Sequence, residues 1–389
     1  MKLVPMAEMR IPFFKPSIDD SDIEAVAESL RSGWLTTGPN VKELERELAE
    51  YCGATYVNAV NSATAALHLA LCAWDIGPGD EVIAPVYTFS ATANVVIHTG
   101  ATPVLVDVRD SDANIDPEAI ERAITPRTKV IIPVDFAGEP CQMDLILDIA
   151  KRHHVKVLTD AAHSVGSNYR DKPVGSMGDA TAFSFYATKN MTTGEGGALA
   201  TNDQALSDRA RVLTLHGITK DGWNRYAAGG AWRYDIAEFG FKDNLTDLAA
   251  SLGRRQLKRL DEFNERRARV VQRYFANLRD EEHVILPGFD EANHRAWHLF
   301  MIRIKNEHSP VPRDEVIDQL AARGIQTSVH FIPLHYFTAY QKLERWQKGD
   351  FPVAEHIFDG AISLPLFPDM TDDQVDEVCH ALREILHPG

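Results

Sequence analysis

The sequence predicts an α/β fold: a large domain on a mostly parallel sheet covered by helices on both faces, then a smaller α+β C-terminal domain. Three observations carry this expectation. Between about residue 55 and 200, short continuous apolar runs alternate with stretches of helical period, the pattern of strands buried on both faces. Beyond about 280, strand-like WHLFMIRI and helix-like PRDEVIDQLAARG recur with a different composition. A length of 389 residues allows two domains, on a prior of about 150 residues each. The expected division is 1–255, including an N-terminal segment, and 256–389.

Taken in order, VKELERELAEY places Val41, Leu44, Leu48 and Tyr51 on one helical stripe, which marks a packing helix. TYVNAV, EVIAPV, TPVLVDV, KVIIPVDF and KVLTDAA read as strands, with ATAALHLALCAW, PEAIERAI and MDLILDIAKRH as the helices between them. The 29 residues from Asp160 to Lys189 leave room for one helix and a returning strand. Residues 216–243, rich in glycine and aromatics, show no period, and a long irregular stretch inside a compact chain is usually functional or mobile. LTDLAASLGRRQLKRLDEFNERRARVVQRYFANL reads as one long helix or two abutting ones.

Composition removes several function classes. A hydrophobic share of 44% and a charged share of 25% are ordinary for a globular protein. No apolar run approaches the roughly 18 residues of a membrane span. MKLVPMAEMRIPFF lacks a signal peptide's core, so a cytoplasmic location is expected. A net charge of −16 disfavours a nucleic-acid surface but leaves room for a local phosphate pocket. Cys52, Cys72, Cys141 and Cys379 form no CxxC pair and read as reduced, packed thiols. The adjacent His153 and His154 fall where a helix ends, and no metal site is expected.

The chemistry gathers around SFYATKNMTTGEGGAL, residues 184–199. A lone lysine before a hairpin is by default a solvated loop residue; the alternative is an amine kept for covalent chemistry with an aldehyde. Asn61–Thr64, in NSATAALHLAL, follow a strand and open a helix, where backbone N–H groups and the helix dipole suit a phosphate. A plain N-cap by Ser62 or Thr64 would explain that motif alone. In TDAAHS, Asp160 ends a buried strand, where a carboxylate is costly unless paired. Phe89 follows a strand end in PVYTFSATAN. Together, a phosphate cradle, a carboxylate, an aromatic ring and a lysine at successive strand ends match the needs of pyridoxal 5′-phosphate (PLP).

The motifs GWLTTGP, NSATAALHLAL, GPGDEVIAPVYTFSATAN, DAAHSVG, SFYATKNMTTGEGG, GFKDNLTD and ISLPLFPDMT span nearly the whole chain. With them the sequence resembles the DegT/DnrJ/EryC1/StrS family, nucleotide-sugar aminotransferases of fold type I (aspartate aminotransferase-like). The resemblance implies a seven-stranded sheet and a homodimer with shared active sites. It makes Lys189 the Schiff-base lysine, pairs Asp160 with the pyridine nitrogen and sets His163 near the phenolic oxygen. Phe89 would stack on the ring, while Ala63, Thr64 and Ser184 would hold the phosphate, joined by Asn244 of the partner subunit. His330, His335 and Tyr186 would meet the sugar. Asp243 departs from the family, whose members usually carry an uncharged residue there.

The implied reaction is transfer of an amino group from L-glutamate to a nucleotide-linked keto-sugar. HGITKDGWNRY resembles loops of relatives acting on 4-keto sugars and favours C4 over C3. A sugar dehydratase of the family would replace the lysine by histidine, so Lys189 counts against that reading. A cysteine desulfurase needs a reactive cysteine on a mobile loop, whereas Cys379 sits in the helical DDQVDEVCHALREIL. A PLP-binding regulatory protein is the non-enzyme alternative, opposed by the intact set of Lys189, Asp160 and His163.

Overall fold

Each apolar run becomes a short strand in the computed structural model, which describes residues 10–219 and 234–388. The strands are β1 (Tyr56–Val60), β2 (Glu81–Pro85), β3 (Thr102–Val106), β4 (Thr128–Ile131), β5 (Lys156–Asp160), β6 (Asn168–Tyr169), β7 (Lys172–Pro173), β8 (Ala180–Ser184) and β9 (Gly197–Thr201). Seven of them form one sheet in the order β1-β9-β8-β5-β4-β2-β3. Only β9 runs antiparallel to its neighbours. Every residue of β2, β8 and β9 is buried, as expected for a sheet covered on both faces.

The covering helices differ in character with depth. Ala63–Ala73 buries residues on all sides (Ala65, Ala66, Leu67, Leu69, Ala70, Leu71) and lies inside the fold. Pro39–Cys52 is amphipathic and buries Val41, Leu44, Leu48 and Cys52. Tyr51 is only half-buried and turns its hydroxyl to Asp261 at 2.6 Å, so Cys52 takes its expected place in the core.

Between Asp160 and Lys189 the expected helix is absent. The chain makes the two-stranded hairpin β6–β7 instead, with turns at Gly166, Gly175 and Gly178 (φ 85°, 115° and 72°). These left-handed positions favour glycine, and the stretch has no apolar repeat from which a helix could gain burial.

A second sheet, β10 (Val284–Ile285), β11 (Phe300–Ile304) and β12 (Ala361–Leu364), is antiparallel in that order. Its core contains Val271, Tyr274 and Leu278 from Leu260–Leu278, Val316 and Leu320 from Arg313–Ala322, and Val375, Val378 and Leu382 from Asp372–Leu386. Asp247–Lys258 and Leu260–Leu278 are two abutting helices that meet at Arg259. In the irregular stretch, Leu215 bridges Lys242 and Ile218 bridges Ile236. Most of HGITKDGWNRY lies outside the described residues. All four cysteines are free, and Cys379 is buried in its helix. Among the described residues no helix is long and apolar enough to cross a membrane.

Candidate active site

Because β1 and β8 both run antiparallel to β9, they run parallel to each other and to β5. Val60, Ser184 and Asp160 therefore end at one edge of the sheet, the edge where α/β folds collect ligands.

At one side of this edge lies an anion cradle. The Ser62 hydroxyl caps Ala63–Ala73 by accepting from the Ala65 N–H at 3.1 Å. The Ala63 and Thr64 N–H groups have no hydrogen-bond partner among the described residues, and the helix dipole adds positive potential there. Gly197 pairs in register with both Val60 and Ser184. A Cβ on it would come within 2.5 Å of the Ser62 carbonyl carbon and 2.6 Å of Ala63 N. Only glycine lets the helix start seat against the sheet beside Ser184.

Lys189 lies on the loop joining β8 to β9, with its N–H donating to the Tyr186 carbonyl at 2.9 Å. The next residue is clamped: Asn190 Nδ2 donates to Asn264 Oδ1 at 2.7 Å and to the Ala296 carbonyl at 2.6 Å. Burial pulls the Lys189 amine down to about 8, against the opposing pull of Asp160. Asp160 is buried and moves the other way: burial raises it, opposed by hydrogen bonds from the Thr92 hydroxyl (2.9 Å) and Ala162 N–H (3.2 Å) and by Lys189.

Ala137, in the left-handed region (φ 55°), organises two histidines. Its N–H donates to His163 Nδ1 at 3.2 Å and its carbonyl accepts from the His298 N–H at 3.1 Å. A backbone N–H can only donate, so the neutral His163 ring carries its proton on Nε2. The His163 ring lies 4.4 Å from His298 and stacks on Phe331 at 5.9 Å. Burial, then the Lys189 charge, holds both imidazoles well below their ordinary value.

His330 joins this group from the C-terminal part of the chain. Its carbonyl accepts from the Tyr87 hydroxyl at 2.7 Å, and its Nδ1 pairs with Ser363 Oγ at 3.0 Å. Burial and Lys189 push it down to about 4. Phe89 is 62% exposed and 6.2 Å from Phe331, so a ring face is open. Tyr186 is exposed beside Lys189.

His335 is not brought to the site. Its side chain is 0% exposed, and its Nε2 pairs with Glu355 at 2.9 Å. Asn244 bridges Val60 of its own chain, donates to Thr37 Oγ1 at 2.7 Å and accepts from Lys242. The unusual Asp243 turns its carboxylate towards Asn61 Nδ2 at 3.5 Å, and its carbonyl accepts from the Asn61 N–H at 2.7 Å. It braces the strand–helix turn at Asn61.

Sequence reasoning missed three neighbours. His298 and Phe331 lie in runs that read as ordinary strand and loop, with no local signal. Asp135 ends the apolar run KVIIPVDF much as Asp160 ends its own, which was a usable signal. It accepts from Ser164 Oγ (2.7 Å) and the Cys141 N–H (2.9 Å), and burial pushes it up to about 6.

Open N–H groups at a helix start, a buried carboxylate, an exposed aromatic face and a depressed amine along one edge fit PLP. Known proteins similar to this chain agree. Spore coat polysaccharide biosynthesis protein SpsC of Bacillus subtilis is 48% identical over 377 residues, 97% of each chain. The putative sugar aminotransferase Spr1654 from Streptococcus pneumoniae, in its PMP form, superposes with a TM-score of 0.91 at 37% identity, covering 97% of this chain and 99% of that one. Its PLP form superposes at 0.90. DesV of S. venezuelae gives 0.88 at 34% identity over 98% and 100% of the two chains. The DegT/DnrJ/EryC1/StrS aminotransferase family matches residues 16–383. The chain belongs to that family and is a PLP-dependent sugar aminotransferase.

Proposed function

We propose that the protein transfers the amino group of L-glutamate to a nucleotide-linked 4-keto-6-deoxyhexose, giving an amino-sugar nucleotide for polysaccharide, glycan or natural-product assembly. The observation that carries the transamination is the gathering, at one sheet edge, of the Lys189 amine, the buried Asp160 and the open N–H groups of Ala63 and Thr64; the sugar is read from the relatives. Two relatives are named for related roles: SpsC for spore coat polysaccharide biosynthesis, and Helicobacter pylori PseC for pseudoaminic acid biosynthesis. The same proposal includes a cytoplasmic location and a homodimer with shared sites. It also divides the chain into a cofactor-holding domain, residues 1–255, and a smaller domain, residues 256–389.

When bound, PLP supplies an aldehyde that captures the amino group and a ring that accepts the electron pair left on carbon. Ala63 N–H, Thr64 N–H and Ser184 Oγ hold the phosphate, with Asn244 of the partner subunit. Asp160 holds the proton on the ring nitrogen, and that cation in turn stabilises the buried carboxylate. His163 donates from Nε2 towards the phenolic oxygen, and Phe89 covers a ring face. Lys189 Nζ, whose lowered value makes its neutral form far easier to reach than that of an ordinary lysine, removes the proton from the α-carbon of glutamate and later delivers one to the sugar carbon. Tyr186 and His330 face the sugar. His335 is left out because its ring is enclosed.

The test is a pair of half-reactions with purified holoenzyme. L-Glutamate alone should release one 2-oxoglutarate per site and move the cofactor's absorbance from the visible to the near ultraviolet. UDP-, dTDP- or GDP-linked 4-keto-6-deoxyhexoses should then restore the visible band and yield an amino sugar by mass spectrometry. No 2-oxoglutarate would refute the donor; release without recovery by any of these sugars would refute the acceptor.

A further inference from the structure

We propose that Glu281, His283 and His387 form a binding site for a divalent transition-metal ion of the zinc class, apart from the catalytic edge. One ligand atom from each side chain lies within 4.8 Å of the others. The three come from two segments, the short connection between Leu260–Leu278 and β10 and the end of Asp372–Leu386. Glu281 follows the helix Leu260–Leu278, its N–H donating to the Leu278 carbonyl at 3.1 Å. His283 leads into β10, and its carbonyl accepts from the Lys305 N–H at 2.9 Å. His387 ends Asp372–Leu386, with its N–H on the Arg383 carbonyl at 2.9 Å. β11 separates this corner from His298, roughly 20 Å at the ordinary rise of a strand.

Two imidazole nitrogens and one carboxylate suit zinc, which binds each at roughly 2.0–2.2 Å and so holds its ligand atoms roughly 3.3 Å apart. His387 Nε2 is already 3.1 Å from both Glu281 oxygens. The two histidine rings sit 5.1 Å apart and inclined at 47°, tilted rather than stacked. An ion pair between Glu281 and His387 accounts for their contact but not for His283. The His283 Nδ1 is enclosed and has no hydrogen-bond partner among the described residues. Ligation at that nitrogen would satisfy it.

The Glu281 side chain is 3% exposed, whereas His387 is 49% exposed and opens the corner to entering ions. Water completes the fourth position, and the Glu282 carboxylate, 3.7 Å from His283 Nε2, faces the ring nitrogen that ligation at Nδ1 leaves free. A bound ion would staple the C-terminal helix to the helix–strand corner. The sequence hides the site because Glu281 and His387 lie 106 residues apart.

PLP-saturated enzyme, stripped with EDTA and then titrated calorimetrically with zinc chloride, should take up one ion per chain at micromolar affinity or tighter. The melting temperature should rise by a few degrees and fall again with EDTA. His283→Gln and His387→Ala should each weaken binding by at least about tenfold, since losing even an outer-shell partner of a metal ligand costs that much. Both variants should retain the cofactor band and the glutamate half-reaction, which verifies folding. The absence of saturable binding in the unmodified enzyme would overturn the site. So would undiminished binding in the double variant, which would place the ion elsewhere, for instance on the histidines around Lys189.

Discussion

Burying an amine is costly, and the cost at Lys189 should be measurable as a function of pH. In the cofactor-free protein its value is about 8 against an ordinary 10.5. Below about 8 the amine is charged both folded and unfolded, and the burial penalty is complete. Above 10.5 it is neutral in both states and the penalty is gone. Cofactor-free Lys189→Met should therefore be more stable than the parent at pH 7, by on the order of 1–3 kcal/mol after allowing for partial solvent access. Urea denaturation should show the gap shrinking between pH 8 and 10.5; a gap independent of pH would contradict a desolvated amine. At Asp160 the property on which the proposed role depends is charge. Asp160→Asn should keep the cofactor within about tenfold of normal affinity but slow the glutamate half-reaction by roughly a hundredfold or more. Stopped-flow rates near normal would remove Asp160 from its role. Asp160 stands out in the sequence because a charge ending an apolar strand violates the local pattern, and Lys189 because it follows such a run amid small residues. His298 does not, because its neighbourhood on His163 arises only when β11 and the Ala137 turn meet.

Among the elements, β9 carries a glycine that cannot be replaced without moving its surroundings. Gly197→Ala would drive a methyl group into the Ser62–Ala63 backbone and the Phe183 carbonyl, the last at 2.6 Å. None of these atoms is the end of a flexible side chain, so the helix start must move. The variant should lose at least about 2 kcal/mol of stability and bind PLP more weakly, as read by thermal melting and by cofactor titration. Unchanged affinity would mean that the helix start is not the phosphate site. The strands were legible because strands buried on both faces read as unbroken apolar runs. The hairpin β6–β7 was not, since it is specified by glycine backbone angles that leave no hydrophobic period, and counting residues between Asp160 and Lys189 suggested a helix instead. Tyr51 fits the helical stripe by spacing, yet its hydroxyl finds Asp261, a partner 210 residues away.

For the whole molecule, the resemblance makes the active site a joint product of two chains. Asn244 is engaged within its own chain by Thr37 and Lys242, so service to a partner's phosphate means exchanging those bonds. A charge-assisted bond of roughly 1.5–3 kcal/mol corresponds to a tenfold to hundredfold loss of cofactor affinity in Asn244→Ala. Mixing Lys189→Ala with Asn244→Ala chains at limiting cofactor should restore activity, because one site of each mixed dimer keeps both residues. No recovery in a dimer shown to have formed would assign Asn244 to its own chain.

The clamp on Asn190 has a consequence for how such an enzyme diversifies. Its amide ties the residue beside the reactive lysine to Asn264 on the long helix and to the Ala296 carbonyl ahead of β11, anchors far apart in sequence. The backbone beside the amine is thereby held from the interior, and the exposed Tyr186 ring takes no part in that clamp. If Tyr186 meets the sugar as proposed, substitutions of its ring should change which sugar is accepted while the clamp stays fixed. On that reading selectivity and reactivity can vary separately: a change at the exposed ring should shift the choice of sugar, whereas an alteration at Asn264, which need never touch a ligand, should impair every substrate alike.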